Sequence, residues 1–167
     1  MLAALAEMMS VPVVRQWALL ANIASTLYMV GVIWTVQLAH YPLMARVGEA
    51  TWRTYHDGHT RAMGWIVMAP MIVELGTAGL LAFAPPAGNA RALAVAGLVC
   101  VVLAWAVTFF VSVPCHNQLG AGAFVASAHR ALVQTNWLRT ALWTGHGLIA
   151  LEMLRRSLLF AATARSA

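Results

Sequence analysis

Four stretches of this chain, about residues 17 to 41, 62 to 84, 91 to 114 and 133 to 154, are predominantly apolar and long enough to cross a bilayer. No other feature restricts the fold as tightly. Hydrocarbon offers backbone amides no hydrogen-bond partner, so a spanning segment must satisfy its own peptide groups as a helix or within a closed barrel. A helix does this in about 20 residues at a rise of about 1.5 Å each. The alternation that a barrel strand requires is missing from all four stretches. The sequence therefore reads as an all-α, integral membrane four-helix bundle. Its 62% hydrophobic and 9% charged residues agree, since a soluble domain carries about one quarter charged residues. The four stretches use most of the 167 residues, which leaves room for one domain, 1–167. No small-residue cleavage pattern follows the first stretch, so it reads as a retained helix rather than a signal peptide. The residues before Val11 read as a segment on the membrane surface.

The formal charge is +5, and all ten basic residues are arginine. They are scattered at the helix ends, which suits an anionic lipid surface and argues against a nucleic-acid partner. Cys100 and Cys115 are about 22 Å apart along a helix, too far to bridge one another. The cluster Pro85-Pro86-Ala-Gly-Asn89 is a breaker that turns helices 2 and 3 into an antiparallel hairpin. Four spans place both termini on one side. Arg15, Arg91, Arg155, Arg156 and Arg165 on that side balance Arg46, Arg53, Arg61, Arg130 and Arg139 on the other. Discounting Arg61 and Arg139 as site residues turns the terminal side toward the cytoplasm, in a membrane of the bacterial inner type.

Helices 2 and 4 share a pattern: Arg61-x-x-x-Trp65 followed by Glu74 reappears 78 residues later as Arg139-x-x-x-Trp143 followed by Glu152. The ends of helices 1 and 3, His40-Tyr-Pro42 and Pro114-Cys-His116, also look alike, displaced by about two residues from that offset. Two repeated helical hairpins, related by an axis along the membrane normal, would give this spacing. Chance among common helix-end residues is the competing explanation.

Ionisable groups inside a membrane are expensive, so each is a functional candidate. His40, His56, His59, His116 and His129 all gather at the end away from the termini, with His146 about two turns beyond Arg139. If the segment is helical, His56 and His59 share one face. With His40 and His116 they bring imidazoles from several segments to one depth, as metal sites in helical bundles do. Imidazole suits iron or copper, and Asp57 is a further ligand or an orienting acceptor. The competing reading is that interfacial histidines merely bond carbonyls or headgroups. Glu74, roughly 20 Å along its helix from Arg61, needs a partner or a proton, for which His146 and the Asn22, Ser25 and Thr26 group are candidates. A Glu74 that only ties helices together is the alternative. Glu152 has Arg155 and Arg156 at ion-pairing spacing. Asn117, Asn136 and Arg139 add donors near the histidines, with Arg139 suited to clamping an anionic or carbonyl-bearing substrate or else reaching headgroups. Methionines such as Met63, Met68 and Met71 read as flexible packing.

Pro114-Cys-His116-Asn117-Gln-Leu119, Asn136-Trp137-Leu-Arg139 and His40-Tyr-Pro42 together resemble the anthrone-oxygenase-like group of small four-helix membrane proteins. The resemblance implies membrane-embedded oxidation of a small hydrophobic, often aromatic, molecule. It implies His116, Asn117, Trp137 and Arg139 as the matching positions.

Three functions are compatible with these residues. The first is an oxidoreductase or oxygenase with iron or copper on His40, His56, His59 and His116, acting on a small hydrophobic substrate positioned by Arg139 or Asn117. The second is a b-type haem electron carrier clamped by His40 and His116. The third is a small transporter or accessory subunit using Glu74 and His146, assembled as a homo-oligomer through small residues such as Gly76 and Gly79.

Overall fold

The computed structural model describes residues 12–166, and the segment ahead of Val11 lies outside them. The described residues form four continuous helical rods and no strand. Rod 1 comprises α1 (Pro12–Thr35), a π-helical segment π1 (Val36–His40) and α2 (Tyr41–Met44). Rod 2 is α3 (Glu49–Phe83). Rod 3 comprises α4 (Arg91–Val107), π2 (Thr108–Ser112) and α5 (Val113–Gly120), and rod 4 is α6 (Ala126–Ser166). Rods 1 and 3 each pack against rods 2 and 4, giving an up-down-up-down square.

Three rods, Pro12–Met44, Glu49–Phe83 and Arg91–Gly120, are long and apolar enough to cross a membrane. That fits an integral membrane protein. The fourth, expected as a span of the same kind, is not apolar enough among the described residues. Asn136, Arg139, Thr140 and His146 account for the difference, and all four are buried in the bundle, whereas Leu138, Leu148 and Leu151 face outward. Rod 4 thus turns its polar side inward against rods 1 and 3. Trp17, Trp65, Phe83 and Phe110 are among the large apolar side chains left on the outer surface.

The rods outrun the expected boundaries at the end bearing the histidines. Helix α3 begins at Glu49, so Tyr55, His56 and His59 stand on a helix rather than in a loop leading to one. Helix α6 begins at Ala126, ahead of the expected start near residue 133, which places His129 in its first turns. Only a short turn is left between rods 1 and 2, closed by Arg46 and Val47 amides donating to the carbonyls of Leu43 and Met44. At the opposite end, Gly88 carries the turn between rods 2 and 3 with φ of 82°, and a Cβ there would lie 2.9 Å from the Arg156 carbonyl oxygen. Asn89 fastens this turn to rod 4 by donating to the Met153 carbonyl and the Ser157 hydroxyl.

Proline determines the local shape of three rods. Pro42 and Pro114 each follow a π segment by two positions. Proline has no N–H to offer the carbonyl four residues back, and its ring clashes with that carbonyl. Widening the preceding turn relieves the clash: Tyr41 N–H bonds Val36 O and Val113 N–H bonds Thr108 O, both five residues apart. One extra residue in a turn rotates everything after it by about 100°. In rod 2, Pro70 frees the Ile66 carbonyl, and the Tyr28 hydroxyl donates to it at 3.3 Å.

The 78-residue correspondence does not survive as equivalent environments. Trp65 is 84% exposed and Trp143 1%. Arg61 is exposed and Arg139 buried, while Glu74 is buried and Glu152 sits in ion pairs with Arg155 and Arg156. What does recur is the π segment with its proline, at an offset of 72 residues.

Candidate functional site

The π segments deliver the residues that matter. His40, the last residue of π1, and Tyr41, the next, turn toward rods 2 and 3. Ser112, the last residue of π2, is buried, and His116 reaches the same region from α5. Helix α3 contributes His56 and His59 from one face, as their spacing of three requires.

These four histidines come together. His40 Nε2 and His59 Nδ1 share a hydrogen bond at 2.7 Å, with rings stacked 4.5 Å apart. His56 Nε2 and His116 Nδ1 are 3.3 Å apart, and the His59 and His116 rings lie 5.2 Å apart. Tyr41, which sequence reasoning did not single out, is hydrogen-bonded through its hydroxyl to His116 Nε2 at 3.1 Å. Its own carbonyl is held by His129 Nε2 at 2.7 Å, so His129 braces the cluster from outside. Gly120 makes room for His56, whose ring would be 3.2 Å from a Cβ at that position. Among the described residues, no three His, Cys, Asp or Glu side chains are arranged to hold a metal ion. The cause is visible in the contacts: ring nitrogens are turned toward one another in pairs rather than toward a common centre. Asp57 is exposed and lines a small polar hollow with His56, Thr60, His116, Asn117 and Gly120.

A half-enclosed cavity of about 260 Å³ opens beside the cluster. Its rim carries the exposed Thr60, Val113 and Asn117 of rods 2 and 3, and Met29 and Trp143 lie deep within it. Met63, Val67 and Met71 make its wall apolar, and His59, His116, Tyr41, Ser112 and Arg139 give it a polar end. Met63 and Met71 pack around a space, whereas Met68 is on the outer surface.

Arg139 is 9% exposed. Its guanidinium lies 5.4 Å above the Trp143 ring and within interaction range of the Tyr41 hydroxyl. Ion pairs among the described residues join Glu74 to His146 and Glu152 to Arg155 and Arg156, leaving Arg139 without a carboxylate. Its Nε has no hydrogen-bond partner, and neither does the buried Ser112 hydroxyl. Trp137, a position implied by the family resemblance, is not at the cavity; it is 48% exposed and packs edge-on against Trp34 at 5.8 Å.

Deeper in the bundle a second polar group surrounds Glu74, which is fully buried. Trp143 Nε1 donates to Glu74 Oε2 at 2.8 Å, and His146 Nδ1 lies 3.0 Å from Oε1. Thr26 Oγ1 is 3.5 Å from the same His146 nitrogen, and Asn22 donates to the Glu74 carbonyl and the Thr77 hydroxyl. Of the candidate partners, His146 reaches the Glu74 carboxylate, while Asn22 reaches its carbonyl. Gly97 lets rod 3 approach, since a Cβ there would sit 3.2 Å from the His146 ring. Trp143 joins the two polar groups: its nitrogen serves Glu74 and its face serves Arg139. Asn136, donating to Gln37 at 2.7 Å, ties rods 1 and 4 and does not line the cavity.

Comparison with protein-family models, with curated proteins and with solved structures finds no match to this chain.

Proposed function

We propose that this protein is a membrane-embedded oxidoreductase that draws a small hydrophobic substrate from the bilayer into the cavity between rods 2 and 3 and acts on it beside the histidine cluster. One observation carries the reading: a 260 Å³ cavity with an apolar wall and a polar end made of His59, His116, Tyr41 and Arg139. Ligand sites are typically such apolar concavities with a few convergent polar groups. Among the described residues no carboxylate lines it. This favours chemistry at imidazole and phenol over the paired-carboxylate hydrolysis of polar substrates.

Iron or copper matches imidazole donors, and His40, His56, His59 and His116 would hold it, supplying redox chemistry when bound. Their donor chemistry fits such an ion, and to take it up the rings would have to give up the His40–His59 and His56–His116 pairings. A bare ion fits better than a haem, because the His59 ring stands next to both His40 and His116 where a macrocycle clamped by those two would need an open slot. The protein's own residues do the rest. The methionine wall takes the apolar body of the substrate, and Arg139 with Tyr41 orients its polar end. The Tyr41–His116–His56 hydrogen-bonded series offers a proton route toward the hollow beside Asp57.

Metal analysis and an absorption spectrum of gently solubilised protein test the reading. The expected result is iron or copper near one per chain, lost in His59→Ala and His116→Ala. Protein that takes up neither metal on reconstitution overturns the metal-dependent oxidoreductase. The buried Glu74–His146 pair favours a second reading, a proton-handling transporter or accessory subunit. It requires a metal-free protein in which Glu74→Gln impairs function more than His59→Ala. Such a subunit would associate through rod 2, where Cβ positions at Gly76 and Gly79 meet nothing within 4 Å.

A further inference from the structure

The cavity's two unsatisfied donors specify what it takes. Arg139 Nε and Ser112 Oγ both belong to buried side chains, 9% and 1% exposed, and both lack a hydrogen-bond partner in the protein. Both line the same cavity, although they come from different rods. Buried polar groups are nearly always paired, and a specific exception calls for a reason. The charge sharpens the point. A guanidinium placed among membrane helices is normally matched by a carboxylate, a headgroup or water, and Arg139 has an indole face and a phenol instead. Glu74, the one buried carboxylate among the described residues, is engaged by the Trp143 indole N–H and by His146. Neither Tyr41 nor Trp143 brings a full negative charge, so the electrostatic demand at the polar end is unmet. The geometry also selects the group, because guanidinium pairs best with planar, delocalised oxyanions.

We infer that the cavity binds a small amphipathic monoanion whose carboxylate, enolate or phenolate oxygen docks between Arg139 and Ser112 while its apolar body lies along Met63, Val67 and Met71. This names the substrate class of the proposed enzyme and rests on that reading for its meaning, but the binding itself requires no metal and no turnover. Access from the bilayer suits such a molecule, since its apolar body partitions into lipid and its charged end stays near the interface. Arg139, facing the end of the bundle where the histidines gather, meets it there.

The test uses the full chain in phosphatidylcholine nanodiscs, with decanoate and 2-naphthoate as probes and decanol and 2-naphthylmethanol as their uncharged counterparts. At least one acid is expected to bind about tenfold or more tightly than its alcohol, as a lost charge-assisted hydrogen bond implies. Arg139→Gln removes that preference, and Ser112→Ala weakens acid binding about threefold to tenfold with little change for the alcohol. Where Arg139→Gln does not fold, Arg139→Lys replaces it and is expected to keep charge preference while losing affinity. Equal binding of both acids and their alcohols, or an acid affinity untouched by Ser112→Ala and by the Arg139 variant, overturns the assignment. So does loss of acid binding when phosphatidylglycerol replaces part of the lipid, because the site then belongs to a headgroup. An acid preference that persists in a protein unable to take up iron or copper would instead overturn the oxidoreductase and leave this site standing.

Discussion

Removing the Glu74 carboxylate by Glu74→Leu should expose how rods 2 and 4 are held together. The substitution puts an apolar side chain of similar length at a fully buried position and leaves the Trp143 indole N–H with nothing to donate to. An orphaned buried donor costs about 1–3 kcal/mol. The His146 side of the pair loses less, because Thr26 Oγ1 stands 3.5 Å from the same nitrogen and can close on it. The single variant is therefore expected to lose about 2–4 kcal/mol. Trp143→Phe orphans the other partner and trims a buried indole, with a loss of similar size. In the double variant neither partner remains to be orphaned, so the losses should not add. Inter-helix hydrogen bonds in membranes average only about 0.6 kcal/mol by double-mutant cycles, with a maximum near 1.7, because the unfolded chain finds partners too. A carboxylate acceptor in a dry interior belongs at the top of that range, so the coupling is set at about 1–1.7 kcal/mol. Reversible unfolding in mixed micelles of all four proteins measures it. Additivity within about 0.3 kcal/mol would refute the claim that this bond links the rods.

Trp65→Ala should leave stability nearly unchanged, whereas Trp143→Ala should cost about 3–5 kcal/mol, because the first ring is 84% exposed and the second 1%; the same unfolding assay compares them. Gly97→Ala gains helix propensity but presses on the His146 ring at 3.2 Å, so a net loss of about 1 kcal/mol is expected, and no such further loss when the same change is made in a His146→Ala background. A Gly97→Ala protein at least as stable as its parent would show that the His146 ring can move aside. Glu152→Gln breaks the ion pairs to Arg155 and Arg156, which are solvent-accessible, and stability should stay within measurement error of the parent.

The helical class, the four rods and the gathering of histidines at one end were all legible in the sequence, because apolar runs of bilayer length admit few folds and a spacing of three fixes a shared helix face. His146 as the partner of Glu74 was also within reach, since a carboxylate in the hydrocarbon demands one. The rod ends were not, because hydropathy fades at the interface while the helix continues: α3 and α6 carry polar residues well beyond their apolar cores. The shared spacing of helices 2 and 4 was silent on environment for a related reason. Identical spacing at Arg61, Trp65 and Glu74 and at Arg139, Trp143 and Glu152 says nothing about which way each helix faces: the bundle leaves Arg61 and Trp65 outside and buries Arg139 and Trp143, while it buries Glu74 and leaves Glu152 accessible. Pro42 and Pro114 were the available signal for the π segments, and reading them would have rotated Tyr41 and Ser112 into view.

The clustering of four histidines at one depth and the presence of Arg139 follow from the order of residues along four antiparallel rods. Their pairing follows from side-chain rotation, which no spacing encodes: His40 meets His59 and His56 meets His116 because of how rods 1 and 3 turn after their π segments. The cavity and the uncompensated charge at its polar end are likewise tertiary. A polar group is satisfied or left unpaired only by what other rods bring within hydrogen-bonding distance, and for Arg139 and Ser112 they bring an open space.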